Sequence, residues 1–143
     1  MSYPFEIAGH GARLSIEVFN YENSSAQNIS DANWLKCRVV LNIYPFSGNF
    51  DASFTTQDFV RFLDDLRKIL SELSGTASFL TDEDTLRLTV KMEKTGGVQI
   101  SGIAEVSDQT HVTLSFSFKS DQTFVSQTYR ELEAIVLQFP VKG

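Results

Sequence analysis

The chain has 143 residues, with 18 acidic against 12 basic side chains and a formal charge of −6. That length suits one domain, residues 1–143, burying about 68 to 70% of the surface its unfolded form exposes. The acidic balance argues against nucleic acid or an anionic membrane as partner, since both reward positive charge. A lone cysteine, Cys37, rules out an internal disulfide, and no apolar run approaches the ~20 residues that span a bilayer.

Phe5 and Ile7 predict a short first strand, closed by the turn residues Gly9, His10 and Gly11. Leu14, Ile16 and Val18 alternate with Arg13, Ser15 and Glu17, the period of a strand with one wet face. Residues 20–33 have no period and little apolar content, which predicts a long loop. The glycosylation patterns that start at Asn23 and Asn28 read as loop polarity, because no basic-then-apolar signal opens the chain and the cytoplasm is the expected compartment. From Trp34 to about Tyr44 a longer strand carries Leu35, Cys37, Val39, Leu41 and Ile43 on one side, and Pro45 ends it. Phe46, Phe50, Ala52 and Phe54 alternate through a further strand, with a bulge or a close backbone approach expected at Gly48.

Residues 55–75 predict a helix whose start, buried face and end are all readable. Thr55 or Thr56 caps it and Asp58 complements the positive end of the dipole. Phe59, Phe62, Leu63, Leu66, Leu70 and Leu73 form the apolar stripe, with Asp64 set to pair with Lys68, and Gly75 is expected to supply the left-handed C-cap. A second set of elements follows in the same order. Ala77 and Phe79 give a short strand, and an acidic turn runs from Thr81 to Asp84. Leu86, Leu88, Val90 and Met92 alternate cleanly, and Lys94-Thr95-Gly96-Gly97 punctuates a hairpin. Val98, Ile100, Ala104 and Val106 continue one strand, and Val112, Leu114, Phe116 and Phe118 define the next. A helix from about Asp121 to Gln138 is stopped by Phe139-Pro140. The order ββββα-ββββα is an α+β architecture, an antiparallel β-sheet system of about eight short strands covered by two helices.

No reaction is spelled out. The two histidines, His10 and His111, are too few for a zinc site, and Cys37 falls in an apolar register that marks a core residue over a nucleophile. Asp82, Glu83 and Asp84 are consecutive, so their carboxylates diverge and lack the spacing of a calcium loop. There is no phosphate-binding glycine loop and no Gly-x-Ser-x-Gly elbow, so neither cofactor nor metal is expected.

Three patterns point further: Asp31-Ala32-Asn33-Trp34-Leu35 before the long strand, Phe46-Ser47-Gly48-Asn49-Phe50 before the first helix, and Asp121-Gln122-Thr123 with Phe139 to Gly143 bounding the second. In this order, over Phe5 to Gly143, the chain resembles the WapI family of bacterial immunity proteins, which protect against the toxin domain of a WapA-like contact-dependent polymorphic toxin. The resemblance implies an inhibitor without catalysis and a nuclease toxin acting on RNA, with transfer RNA the expected target. It does not say which residues touch the toxin. A basic toxin groove would match the acidity of this chain.

Loops held by a rigid scaffold are where binding groups concentrate. The toxin-binding candidates are therefore Tyr21, Glu22 and Asp31 in the long loop and Asp82, Glu83 and Asp84 in the acidic turn. Asp31 as a turn cap and Trp34 as a core anchor are the structural alternatives. A different class of function, a small-molecule enzyme or ligand-binding module, would use a cleft near residues 20–33 with His10 or His111 as base.

Overall fold

Leu86, Leu88, Val90 and Met92 are buried and Arg87 and Lys91 are exposed, because successive Cβ atoms of a strand point to opposite faces. The same alternation builds the rest of the protein. The structure, a computed structural model, describes residues 1–23, 29–81, 83 and 85–143. Its elements are β1 (Tyr3–Gly9), β2 (Ala12–Tyr21), α1 (Ile29–Ala32), β3 (Trp34–Ile43), β4 (Phe46–Thr55) and α2 (Thr56–Glu72). They are followed by β5 (Gly75–Phe79), β6 (Leu86–Met92), β7 (Gly97–Ser107), β8 (His111–Asp121) and α3 (Gln122–Gln138). The strands form two four-stranded antiparallel meanders, β1-β2-β3-β4 and β5-β6-β7-β8. The expected long loop is shorter than its composition predicted, since β2 runs on to Tyr21 and α1 adds one helical turn.

The register of β3 on β4 is unbroken through Leu41↔Gly48, so the bulge expected at Gly48 is absent there. It falls between Val18 and Asn20 instead, where one extra residue bends β2 against β3. Bulges answer to the curvature a strand needs over the core, which a glycine permits but does not dictate.

Helix α2 opens with a reciprocal cap. Asp58 N–H donates to Thr55 Oγ1 at 3.1 Å, and Thr55 N–H donates to Asp58 Oδ2 at 2.9 Å. The Asp58 side chain is fully buried, and its second oxygen accepts from Arg61 Nη2 at 2.6 Å. Phe59, Phe62, Leu63 and Leu66 are buried as their spacing predicts, but Ile69 takes the last inward place and Leu73 is exposed. Leu73, not Gly75, adopts the left-handed C-cap, with φ of 57°. The chain passes from helix to strand within two residues, so the reversal comes before the glycine is reached and costs about 1–2 kcal/mol in side-chain crowding. Gly75 then opens β5 at φ 116°. Asp64 pairs with Arg67 at 2.9 Å, not with Lys68, because Tyr129 Oη of α3 also holds the Arg67 guanidinium, at 3.1 Å.

Each helix covers the first strand of the other half: α2 lies against β5 and α3 against β1. The exposed edge of β1 is satisfied on the way. Glu6 N–H donates to Glu131 Oε1 at 2.9 Å, and Thr128 Oγ1 donates to Glu6 O at 2.5 Å. Farther along, β8 meets β1, with His10 N–H on Lys119 O at 2.8 Å and Ser120 Oγ on Ala8 O at 2.6 Å. On β5, Ser78 N–H donates to Asp65 Oδ2 of α2 at 3.1 Å. Between the sheets Phe54, Phe59, Phe62 and Phe79 pack with centroids 5.2 to 6.0 Å apart, so β4, α2 and β5 share one aromatic centre.

The β1–β8 seam needs Gly9. A Cβ there would sit 2.2 Å from Lys119 O and 2.9 Å from Phe118 Cδ2, whereas a Cβ at Gly48 meets nothing within 4 Å. Gly9→Ala is expected to lose about 2–3 kcal/mol in urea unfolding by forcing the sheets apart, while Gly48→Ala stays within about 1 kcal/mol of the parent.

Candidate functional site

The residues of the Asp31–Leu35 motif do not form a pocket. They clamp the C-terminal segment. Asn33 is buried, and its Oδ1 accepts from Lys142 N–H at 2.7 Å and from Thr56 Oγ1 at 3.0 Å, while its Nδ2 donates to Lys142 O at 3.1 Å. One amide side chain thus pairs with both backbone groups of one residue, as a neighbouring strand would. Tyr21 closes the clamp. Its hydroxyl donates to Pro140 O at 2.6 Å, its ring stands edge-on to Phe139 at 5.6 Å, and Lys142 Nζ lies 3.7 Å from the ring centroid. Partial burial pushes the Tyr21 phenol up from its usual range. Trp34 is half-buried at the start of β3, pairs with Thr55, and its carbonyl accepts from Glu22 N–H at 2.9 Å.

Of the other proposed contact residues, Glu22 is exposed and accepts from Ser53 Oγ at 2.9 Å, and Asp31 is exposed on α1. Glu22 and Asp31 flank the clamp together with Tyr21. Glu83 is exposed in the turn between β5 and β6, on the other sheet, and Asp82 and Asp84 lie outside the described residues.

The groups that an enzyme would draw on are scattered. Cys37 is 1% exposed, its thiol donates to Leu35 O at 3.6 Å, and burial pushes its pKa far up, away from the reactive thiolate. His10 stands in the β1–β2 turn against Phe124, and its amide bonds Lys119 O. His111 begins β8, eight residues from Lys119, which places the two histidines about 26 Å apart at ~3.3 Å per strand residue. Among the described residues no group of three or more His, Cys, Asp or Glu side chains is placed to hold a metal ion.

One concave feature is lined by the Phe46–Phe50 motif, which is not among the toxin-binding candidates. An open groove of about 550 Å³ separates the inner faces of the two sheets, walled by Leu41, Phe46 and Phe50 on one side and Val106, Val112 and Leu114 on the other. Among the described residues no ionisable side chain lines it. Inward-facing residues lose cover steadily toward it. Along β4, Phe54 is buried, Phe50 half-buried and Phe46 63% exposed; along β8, Phe118 is buried, Phe116 and Leu114 half-buried and Val112 53% exposed. The cause is where the helices lie. α2 packs on β5 and α3 on β1, the first strand of each sheet, so the far edge strands β4 and β8 run on past their cover. The sequence signal was the alternation through Phe46 and Phe50, which predicts an inner face but not that the face would stay open.

Taken together the fold is an α+β arrangement of two linked meanders with a helix after each. The immunity protein WapI-like family matches residues 5–140, nearly the whole chain, and the chain belongs to that family. Membership brings a protein partner with it, a toxin. No curated protein matches the chain. Among solved structures, a chain from the crystal structures of Trypanosoma bruciei MRP1/MRP2 is similar in fold at 8% identity, with a TM-score of 0.50 over 97% of this chain and 86% of that one. Among the described residues no helix is long and apolar enough to cross a membrane.

Asn33→Ala is expected to cost about 2–3 kcal/mol in chemical unfolding, since it strands both backbone groups of Lys142 and leaves the Thr56 hydroxyl only Gln57 Oε1, at 3.3 Å. Hydrogen exchange at the Lys142 amide should accelerate along with that loss. Cys37 gives a pH dependence of known sign. Its thiol is raised in the folded state, so its contribution is whole below about pH 8.5 and falls above it, by up to ~1.4 kcal/mol per pH unit. Cys37→Ala should flatten the alkaline limb of stability by that slope, measured by urea unfolding between pH 8 and 10.

Proposed function

We propose that this protein is a non-catalytic immunity protein of the cytoplasm that binds and blocks a cognate nuclease toxin domain directed at transfer RNA. The observation that carries the reading is the family match over residues 5–140. The formal charge of −6 supports it, because a nuclease that grips RNA presents a cationic surface for an acidic inhibitor to occupy. Glu22, Asp31 and Glu83 stand exposed and are assigned to this attraction, with Asp82 and Asp84 in the same turn as Glu83. Tyr21 supports them from within the clamp, holding the surface on which Glu22 and Asp31 sit.

Charges of this kind act on encounter more than on the lifetime of a complex. The combined variant Glu22→Gln, Asp31→Asn, Glu83→Gln is expected to associate about three- to tenfold more slowly at low salt, with a shallower salt dependence and an unchanged dissociation rate, measured by stopped-flow against a WapA-like toxin domain taken from the same genome. The reading itself is tested by co-expression with that domain. Restored growth and a co-purifying complex are expected, and absence of both overturns it. The nuclease assignment is tested by adding the toxin domain to total RNA: transfer RNA should be cut, and should stay whole when this protein is added first. RNA left intact by the toxin alone would overturn that part.

A further inference from the structure

We infer that the groove between the two sheets, together with the uncovered edge of β4, seats an extended, uncharged, apolar segment of the toxin. This deepens the immunity reading and rests on it. The first ground is the sheet edge. Four strands lie at edges, β1 and β4 in one sheet and β5 and β8 in the other. β1 is satisfied by α3 and β8, β5 receives Asp65 of α2, and the C-terminal half of β8 meets β1. Over residues 46–53 of β4, as over the N-terminal half of β8, the described residues show no backbone hydrogen bond outside the sheet's own ladder. Proteins blunt open edges with proline, lysine, bulges or a covering helix. In β4 the register is regular and Asp51 is the one charged residue, engaged with Arg38 at 3.3 Å.

The second ground is the wall beside that edge. Phe46 and Phe50 of β4 face Val106, Val112 and Leu114 of the other sheet across open space. An extended segment added to β4 meets both: its backbone pairs with the free edge, and every second side chain points into the apolar groove. Charge matching selects the occupant. A charged side chain entering this lining would lose its hydration and find no partner, so the segment that fits is neutral on its inward face. A second copy of this chain fits less well, because the inward side chains of its β4 already wall its own groove and are not free to fill another. The groove and the acidic loops then divide the work, apolar anchors holding the complex and carboxylates speeding its formation.

Phe46→Glu and Val112→Glu test this in the full chain. Both side chains are largely exposed, so the variants are expected to melt within a few degrees of the parent. Against the same toxin domain, each should raise Kd at least tenfold, mostly through faster dissociation, and abolish growth rescue. Amides of residues 46–52 should exchange more slowly in the complex. Unchanged affinity of both variants, beside a parent that binds, overturns the groove and leaves the immunity reading standing. Unchanged exchange at residues 46–52 overturns the edge pairing. A parent that binds no toxin overturns the immunity reading and the groove with it. Sedimentation of the protein alone should show a monomer; a dimer that Phe46→Glu dissociates would assign the groove to a second copy and overturn the proposal.

Discussion

A sheet edge leaves a row of amide N–H and carbonyl groups without partners, and most of this architecture follows from how four such edges are treated. The chain crosses its helices over, so that α2 reaches the first strand of the second sheet and α3 the first strand of the first. Asp65, Thr128 and Glu131 are polar residues on the inward flanks of those helices, and each bonds a backbone group of the strand beneath. Gly9 belongs to the same solution. Its missing side chain lets the Lys119 carbonyl approach, which brings β8 onto β1 and links the two sheets. Neither half could satisfy its first strand alone, and this is why a sequence of two similar halves makes one continuous hydrophobic core.

The same crossing decides where the core stops. Helices that lie on the first strand of each sheet leave the N-terminal ends of β4 and β8, at the opposite edges, without cover, and those ends face each other across the groove. Apolar alternation continues through Phe46, Phe50, Val112 and Leu114 past the point where cover ends. A neutral, open groove is the result, beside an edge of β4 whose N-terminal half, among the described residues, no helix or partner strand blocks. Such a surface is costly to leave in water unless something else uses it.

The short motifs that mark the family have a structural part to play. Asn33 of Asp31–Leu35 and Lys142 of the C-terminal segment meet across 109 positions of sequence, and Tyr21 covers the joint. Asp121 caps α3. Phe46 and Phe50 are different, since on the inner face of their sheet they wall the open groove. The other two motifs thus hold the frame, and family membership gives the kind of partner that the frame serves.

Much was legible in residue order alone. Strand periods in Leu14–Val18, Leu35–Ile43 and Leu86–Met92, the cap at Thr55 and the stop at Phe139-Pro140 are local, because they depend on alternation and on hydrogen bonds within a few residues. The element order and the α+β class followed from them. What tertiary structure decided was everything that depends on curvature and approach: the bulge near Phe19 in place of Gly48, the cap at Leu73 in place of Gly75, Arg67 over Lys68 as the partner of Asp64. It also decided that Asn33 and Tyr21 belong to a clamp and that Phe46 and Val112, read as inner-face residues, stand in the open. A strand's own sequence says which side of it is apolar; only the placement of the elements packed on that side says whether the apolar side is covered.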